Sequence, residues 1–314
     1  MPEKPEETPP VVKTPREHRR DARLEKYQRK HTHIVDVLIR ERAEKLSRSK
    51  LWPLYRLCLN QLLDYPKAVR MVNEAGEYRA RDAFDYVSEK LDLKLDITGL
   101  ENVPTEGTFM MALNHPTGIA DGIAVYDALK GIRPDVAFFA NADAIRLNQN
   151  LTEMLIPVEW VEKKKTRAKS RETLKATTEA FKAERAIVIF PSGRLAYMDE
   201  NKKLQEQPWM STVSALPKKY QCPVIPAHLT SRNSWLYYWF WQVNTELRDM
   251  TLFHELLNKK GQTYRMVIGE PIMPDQLPEN NDEAAALLRT YVSGPLVDGV
   301  SWETFRKQNG PILS

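Results

Sequence analysis

The sequence predicts an α/β fold with a mixed, largely parallel central sheet covered by helices on both faces, after an N-terminal helical region and a disordered tail. From about residue 92, short apolar runs that suit buried strands alternate with segments whose apolar residues recur at helical spacing. Of the 314 residues, 42% are hydrophobic, which is enough for a substantial core. No run approaches the ~20 apolar residues of a membrane-spanning helix.

The strands and helices of this domain follow from the apolar pattern, and no internal repeat is present. Seven runs are predicted as strands: Leu93–Ile97, Thr108–Leu113, Val136–Phe139, Ile156–Val161, Ala186–Phe190, Val224–His228 and Tyr264–Ile268. Helical patterns lie between most of them: Gly122–Lys130, Ala142–Met154, Thr166–Ala183 and Ser211–Lys219. Strand, helix and strand in repetition favour a parallel or mixed sheet with helices on both faces.

The chain is predicted to have four parts. Residues 1–15 contain five prolines and form a disordered tail. Residues 16–91 form a basic and amphipathic helical region, which includes an apolar helix over Leu51–Leu63 and a further helix over Arg79–Leu91. Residues 92–294 form the α/β domain, and residues 295–314 are a C-terminal extension without a recognisable motif.

The net charge of +4 is concentrated near the N-terminus, where Lys13–Lys50 contains thirteen Lys or Arg against six Asp or Glu. Such an excess suits a polyanionic surface, either phospholipid head groups or nucleic acid. The alternative, a solvated helical face, is about equally consistent with the pattern. The two cysteines, Cys58 and Cys222, are too few and too far apart for a disulfide framework or a zinc site. With an N-terminus that lacks a secretory signal, they predict a cytoplasmic protein without a metal.

Two apolar segments are candidates for contact with a membrane surface. Within Leu51–Leu63, aromatic and basic residues are interleaved, as in interfacial helices. The block Trp235–Trp241 contains three Trp, two Tyr and one Phe, more than one helix face can bury. It predicts an acyl-chain groove or a position at the membrane interface, and a buried aromatic helix is the alternative.

The most informative stretch runs from Phe109 to Gly122. A buried strand ends at Asn114-His115, a glycine-containing turn follows, and Asp121 begins a helical pattern. A histidine held by a carboxylate in this way can remove a proton from a hydroxyl near neutral pH. His115 and Asp121 are therefore the candidate catalytic residues.

A second turn, Phe190-Pro-Ser-Gly-Arg194, also follows a buried strand. Gly193 lets the backbone approach a ligand, the Ser192 hydroxyl can form a hydrogen bond, and Arg194 suits a phosphate or carboxylate. The turn is not the Gly-x-Ser-x-Gly elbow of serine hydrolases, because Pro191 directly precedes the serine.

A basic segment lies between these two turns, with six Lys or Arg in the nine residues 163–171. The helix dipole disfavours positive charge at this helix start, which suggests that an anion binds nearby. A solvated surface is the alternative. The third marker, Cys222-Pro-Val-Ile-Pro-Ala-His228, is a strand with two prolines, and we interpret His228 as a core histidine with its hydrogen bonds satisfied.

These blocks, taken in order, resemble the glycerolipid acyltransferase superfamily over roughly residues 92–275. In that family, a His-x-x-x-x-Asp block supplies the base and its orienting carboxylate, a Phe-Pro-Glu-Gly-x-Arg-like block binds the acceptor, and a proline-containing strand follows. Five residues separate His115 from Asp121 here, and Ser192 stands where many members have Glu. The longer spacing and the segment Leu252–Ile272 resemble the branch of hemolysin-like proteins and ornithine-lipid and lysophospholipid acyltransferases.

The resemblance implies transfer of a fatty acyl group from acyl carrier protein or acyl-CoA to the hydroxyl of a lysolipid or glycerol-3-phosphate. His115 would be the general base oriented by Asp121, without an acyl-enzyme, a metal or a cofactor. The acceptor would be held by Asn114, Lys163, Lys164, Ser192, Gly193 and Arg194. The enzyme would lie on the inner face of an anionic membrane, peripherally attached, and no nucleic-acid partner is expected.

Three rival functions remain open at the level of sequence. The basic arm could serve nucleic-acid binding, although that leaves the two strand-end motifs without a purpose. The same fold could be a non-catalytic lipid-binding or carrier-docking module. It could also hydrolyse acyl thioesters, releasing the acyl group to water.

Overall fold

The computed structural model describes residues 33–159 and 165–309. Seven strands form the main sheet: β1 Lys94–Thr98, β2 Phe109–Leu113, β3 Ala137–Asn141, β4 Leu155–Val158, β5 Ala186–Ile189, β8 Val224–Thr230 and β9 Thr263–Ile268. The remaining strands, β6 Tyr197–Met198 and β7 Leu204–Gln205, pair antiparallel as a small hairpin. All seven predicted strands are present, with small shifts at their ends.

The sheet is mixed and largely parallel, as predicted. Its strand order is β1-β9-β8-β2-β5-β3-β4. The strands from β8 to β4 run parallel to one another, whereas β9 is antiparallel to β8 and pairs in parallel with β1. Because parallel strands end at the same edge of a sheet, the turns that follow β2, β5 and β8 meet there.

Helices precede the sheet and connect most of its strands. Those before β1 are α1 Ile34–Arg42, α2 Glu44–Ser47, α3 Trp52–Leu62, α4 Tyr65–Ala75 and α5 Ala80–Leu91. Those between strands are α6 Ile119–Leu129, α7 Asp143–Leu147, α8 Arg167–Lys182, α9 Thr212–Tyr220, α10 Trp235–Val243, α11 Thr245–Met250 and α12 Leu252–Leu257. The last two are α13 Asn281–Ser293 and α14 Trp302–Asn309. None of the helices in the described ranges is long and apolar enough to cross a bilayer.

Each face of the sheet carries its own apolar core, because successive side chains of a strand point to opposite faces. In β2, Phe109, Met111 and Leu113 pack into one cluster with residues of α6. Met110 and Ala112 pack into the other, with residues of α8, α9 and α13. This arrangement confirms that helices cover both faces.

The C-terminal segment packs on the second of these cores. Leu296, Trp302 and Phe305 are buried there, beside Tyr291 of α13. The part of the predicted extension 295–314 that the structure describes therefore shares the core of the α/β domain.

Three sequence expectations change in detail. The helix predicted over Ala142–Met154 is divided into α7 and a 3-10 turn, Gln149–Glu153. The buried Asn148 causes the break, since its side chain donates to the carbonyls of Ala75 and Tyr78 and its backbone is extended. Within the helical region predicted over residues 16–91, α1 ends at Arg42 and Ala43 separates it from α2. Residues 1–32, including the predicted tail, lie outside the described residues. The strand predicted to reach Val161 ends at Val158.

Candidate active site

The two strand-end motifs meet at the carboxyl edge of the sheet. β2 lies between β8 and β5, so His115 at the end of β2 is flanked by the segments that follow both neighbours. Phe190 follows β5, and its ring stacks on the His115 imidazole with 4.2 Å between the ring centroids. This position at the end of a central parallel strand is where open α/β sheets bind ligands.

His115 and Asp121 form a hydrogen-bonded pair. The distance from His115 Nδ1 to Asp121 Oδ2 is 2.9 Å, and the Asp121 side chain is fully buried while 18% of the His115 side chain is exposed. Since a carboxylate accepts, Nδ1 carries the proton and Nε2 presents a lone pair. Nε2 has no hydrogen-bond partner among the described residues, so this nitrogen is available to a substrate hydroxyl.

The turn between β2 and α6 is built to hold the Asp121 carboxylate. Besides the ring of His115, Oδ2 accepts from the backbone N–H of Thr117 at 2.8 Å and of Gly118 at 2.9 Å. Oδ1 accepts from the Thr117 hydroxyl. Gly118 has a φ of +102°, which L side chains rarely adopt, and it places its N–H toward the third residue of α6. The five-residue spacing in this chain therefore still closes the pair.

The backbone of His115 is fixed on both sides by the segment that follows β5. Its N–H donates to Glu206 Oε2 at 3.1 Å, and its carbonyl accepts from Ala196 N at 2.9 Å. The other oxygen of Glu206 accepts from the Trp209 indole at 3.1 Å. Burial raises the pKa of the Glu206 carboxyl, and its interactions with the His115 N–H and the Ser192 side chain oppose that shift.

Sequence reasoning missed Glu206, which is separated from His115 by 91 positions. Its carboxyl group lies against Ser192, so an acidic side chain is present beside the turn whose own third residue is serine. The only signal in the sequence was a lone acidic residue shortly before Pro208-Trp209, and such residues are common on protein surfaces.

The Ser192-Gly193-Arg194 turn presents one exposed cation. The Ser192 hydroxyl donates to the Arg194 carbonyl at 2.8 Å, and Gly193 adopts a φ of +59°, in the left-handed region. The side chain of Ser192 thus holds the turn. Arg194 is exposed, and its guanidinium forms no hydrogen bond or ion pair with any residue in ranges 33–159 and 165–309. This guanidinium is therefore available to an anion.

Asn114 joins the end of β2 to the neighbouring strand β8. Its Nδ2 donates to the Leu229 carbonyl at 2.9 Å and its Oδ1 accepts from the Leu229 N–H at 2.7 Å. Both ends of this buried amide thus join the end of β2 to β8. The predicted contact of Asn114 with the acceptor stays a prediction.

The basic segment starts from a different part of the sheet. Lys163 and Lys164 lie outside the described residues. β4, which precedes them, is three strands away from β2, or about 14 Å. His228 is partly buried: its Nδ1 lies 2.9 Å from the Val292 carbonyl, and burial lowers its pKa.

Comparison with known proteins identifies the family. The model of the acyltransferase family matches residues 94–230, which include His115, Asp121 and the Phe190–Arg194 turn. A lyso-glycine lipid O-acyltransferase of Phocaeicola vulgatus is 26% identical over 243 residues, covering 73% of this chain and 85% of that enzyme. These matches support the glycerolipid acyltransferase superfamily for the segment 94–230, which carries the site. The resemblance inferred from the motifs is thereby confirmed.

Two further similarities were found. The lyso-glycine lipid O-acyltransferase of Bacteroides thetaiotaomicron is 24% identical to this acyltransferase over 246 residues, covering 76% of the chain and 87% of that enzyme. Among solved structures, the 1-acyl-sn-glycerophosphate acyltransferase PlsC of Thermotoga maritima aligns with 88% of this chain and all of its own. That alignment has 16% identity and a TM-score of 0.43.

Proposed function

We propose that this acyltransferase moves a fatty acyl group from an acyl thioester, acyl carrier protein or acyl-CoA, to the hydroxyl of an anionic lysolipid. The observation that carries the proposal is the His115–Asp121 pair at the carboxyl edge of the sheet, whose Nε2 has no partner among the described residues. The exposed Arg194 stands two positions before Ala196, whose N–H donates to the His115 carbonyl. The two lyso-glycine lipid O-acyltransferases that it resembles favour a lysolipid over glycerol-3-phosphate as acceptor.

The reaction follows from this geometry. Nε2 of His115 takes the proton of the acceptor hydroxyl while the oxygen of that hydroxyl attacks the thioester carbonyl carbon. Asp121 holds the ring in the required tautomer and stabilises the imidazolium that forms. The tetrahedral intermediate then breaks its C–S bond, the imidazolium returns the proton to the thiolate, and an ester and a free thiol leave.

An acyl-enzyme through Cys222 does not fit this arrangement. Cys222 is buried just before β8, at the end of the strand opposite to the site, and burial raises the pKa of its thiol to about 11. A thiol with so little thiolate at neutral pH is a weak nucleophile. We therefore propose direct transfer to the acceptor.

We also propose that the enzyme works on an anionic membrane surface through the α3–α10 face, which we define as the exposed apolar side chains of these two helices. The residues are Leu51 (just before α3), Leu54 and Leu57, and Trp235, Trp239 and Val243. The two helices share one buried cluster, against which Trp52 of α3 and Leu236 of α10 both pack. Exposed Trp and Leu beside the exposed Lys50 and Arg48 suit the interface of an anionic bilayer.

This face lies close to the site. α10 begins five positions after β8 ends, and Trp241 of α10 stacks on Tyr197, which follows the Arg194 turn, with centroids 6.1 Å apart. A lysolipid in the bilayer could therefore reach His115 with its acyl chain still in the lipid.

The first test is an acyl-transfer assay with labelled acyl-CoA and acyl carrier protein as donors. Lyso-glycine lipid, lyso-ornithine lipid, lysophosphatidic acid and glycerol-3-phosphate serve as acceptors in lipid vesicles. We expect transfer to a lysolipid, and His115→Gln should lower the rate about 10²–10⁴-fold, the usual contribution of a general base. Undiminished transfer by that variant would exclude His115 as the base, and acyl release to water without any acceptor would indicate a hydrolase.

A further inference from the structure

Two buried hydroxyl groups lie behind the His115–Asp121 pair. Thr117 belongs to the turn between β2 and α6, and Tyr264 belongs to β9, two strands away from β2. Thr117 is 3% exposed and Tyr264 is fully buried within an otherwise apolar core cluster. Their oxygen atoms are 2.8 Å apart. A buried hydroxyl in such surroundings is costly unless it has a partner. Here the two hydroxyls are partners of each other, Thr117 also bonds to Asp121, and Tyr264 also contacts the Ser231 side chain.

The direction of these hydrogen bonds follows from the proton count. The Thr117 hydroxyl has one proton and gives it to Asp121 Oδ1, because a carboxylate can only accept. The contact with Tyr264 must then be donated by the tyrosine. Burial and the charge of Asp121 raise the pKa of Tyr264, so its phenol keeps the proton that it donates. The chain of donation is Tyr264 to Thr117 to Asp121.

This series of hydrogen bonds fixes Oδ1 of Asp121, the carboxylate oxygen that no backbone N–H holds. Oδ2 is held by His115 and two backbone N–H groups, whereas Oδ1 has the Thr117 hydroxyl as its donor among the described residues. Without that donor, the carboxylate can rotate about its Cβ–Cγ bond and carry the imidazole with it. The charge of Asp121 also acts on Tyr238 and on the buried Lys259, which is paired with Glu255 at 3.0 Å.

We propose that Thr117 and Tyr264 are positioning residues, which hold the Asp121 carboxylate and, through it, the His115 ring in the orientation that acyl transfer needs. The proposal rests on the proposed function, in which His115 is the general base. It gives a role in that function to a residue of β9, a strand that lies outside the residues matched by the family model.

The kinetic test uses two matched pairs of variants on the intact enzyme. Tyr264→Phe removes only the hydroxyl and should lower kcat about tenfold, the value of one hydrogen bond, while the acceptor KM stays unchanged. Tyr291→Phe is its control, because Tyr291 is equally buried but donates to the Val300 carbonyl in the other core. Thr117→Val should lower kcat up to about 10²-fold through misplacement of the base, and Thr117→Ser should restore it.

A second readout does not depend on activity. The ring nitrogen and proton NMR signals of His115, assigned with His115→Gln, report its tautomer and the Nδ1 hydrogen bond. We expect these signals to shift in Tyr264→Phe and Thr117→Val and to stay in place in Tyr291→Phe. If wild-type enzyme acylates none of the acceptors, the proposed function fails, and the NMR comparison still decides the positioning role. Unmoved His115 signals in folded Tyr264→Phe and Thr117→Val, or equal kcat in the two Tyr→Phe variants, would overturn the proposal.

Discussion

At the scale of single residues, some polar side chains of the site are hydrogen-bonded within the protein, whereas the guanidinium of Arg194 is not. Asp121, Ser192 and Glu206 have their polar atoms bonded within the protein. Arg194 is exposed and without a partner in the described part of the chain. A forked cation that the fold does not use is suited to recognition of a carboxylate or phosphate on the acceptor.

Arg194→Ala should therefore weaken acceptor binding and leave the chemistry intact. A hydrogen bond to a charged group is worth about 1.5–3 kcal/mol, so we expect the acceptor KM to rise about 10- to 100-fold at nearly constant kcat. Arg194→Lys should lie between, since it keeps the charge and loses the fork. Steady-state kinetics with the best lysolipid acceptor measure both constants.

The control for this prediction is Arg79→Ala, which removes another exposed arginine, one that pairs with Glu153 on the surface at 3.2 Å. Exposed pairs of this kind contribute little to stability, so this variant should keep both constants. A lower kcat with unchanged acceptor KM in Arg194→Ala would instead indicate that Arg194 acts on the reacting atoms.

At the scale of elements, the sequence predicts what depends on local pattern. Central strands such as β2 and β5 are continuous apolar runs, whereas β1 and β9 alternate polar and apolar residues. Both patterns are typical of strands, which is why all seven were found. The helix expected over Ala142–Met154 failed at Asn148, whose buried amide bonds to residues 70 and 73 positions away. Glu206 and Tyr264 reach the site by contacts of the same long range, and no local pattern records such contacts.

The α3–α10 face belongs to this scale, and its aromatic half can be tested by itself. A double variant, Trp235→Ala with Trp239→Ala, should lower binding to vesicles that contain phosphatidylglycerol by at least tenfold, since each buried apolar side chain contributes about 1.5–3 kcal/mol. Vesicle sedimentation measures the bound fraction. Transfer to a short-chain acceptor in solution should persist, because neither tryptophan is part of the His115 site.

The matched control is Leu174→Ala. Leu174 is an exposed leucine on α8, a helix that covers the opposite face of the sheet from α6. Its loss should leave vesicle binding unchanged. Equal binding by the double tryptophan variant and the Leu174 variant would show that the enzyme does not dock through α10.

At the scale of the whole molecule, the strand order assembles the site. The motifs were visible in the sequence as separate strand ends, and their order along the chain suggested a common purpose. Only the order β8-β2-β5 places Phe190 and Leu229 on either side of His115 and Asn114, and β9 beyond β8 brings Tyr264 behind Thr117. Strand order depends on packing across the whole domain, so it could not be derived from the motifs.

The stability of this fold should fall in mild acid because of His228. Burial against α13 lowers its pKa, so at mildly acidic pH the unfolded chain binds a proton that the native protein resists. His228 therefore contributes fully to the free energy of unfolding above its unfolded pKa of about 6.5, and progressively less as the pH falls below it, by up to about 1.4 kcal/mol per pH unit.

His228→Asn can keep the donor to Val292 without this titration. Urea unfolding at pH 7.5 and 5.0 should show a loss of unfolding free energy up to about 2 kcal/mol larger in wild type than in the variant. Titratable groups that both proteins share, Glu206 among them, contribute equally to both losses of unfolding free energy. Equal losses in wild type and His228→Asn would mean that His228 takes up its proton in the folded protein.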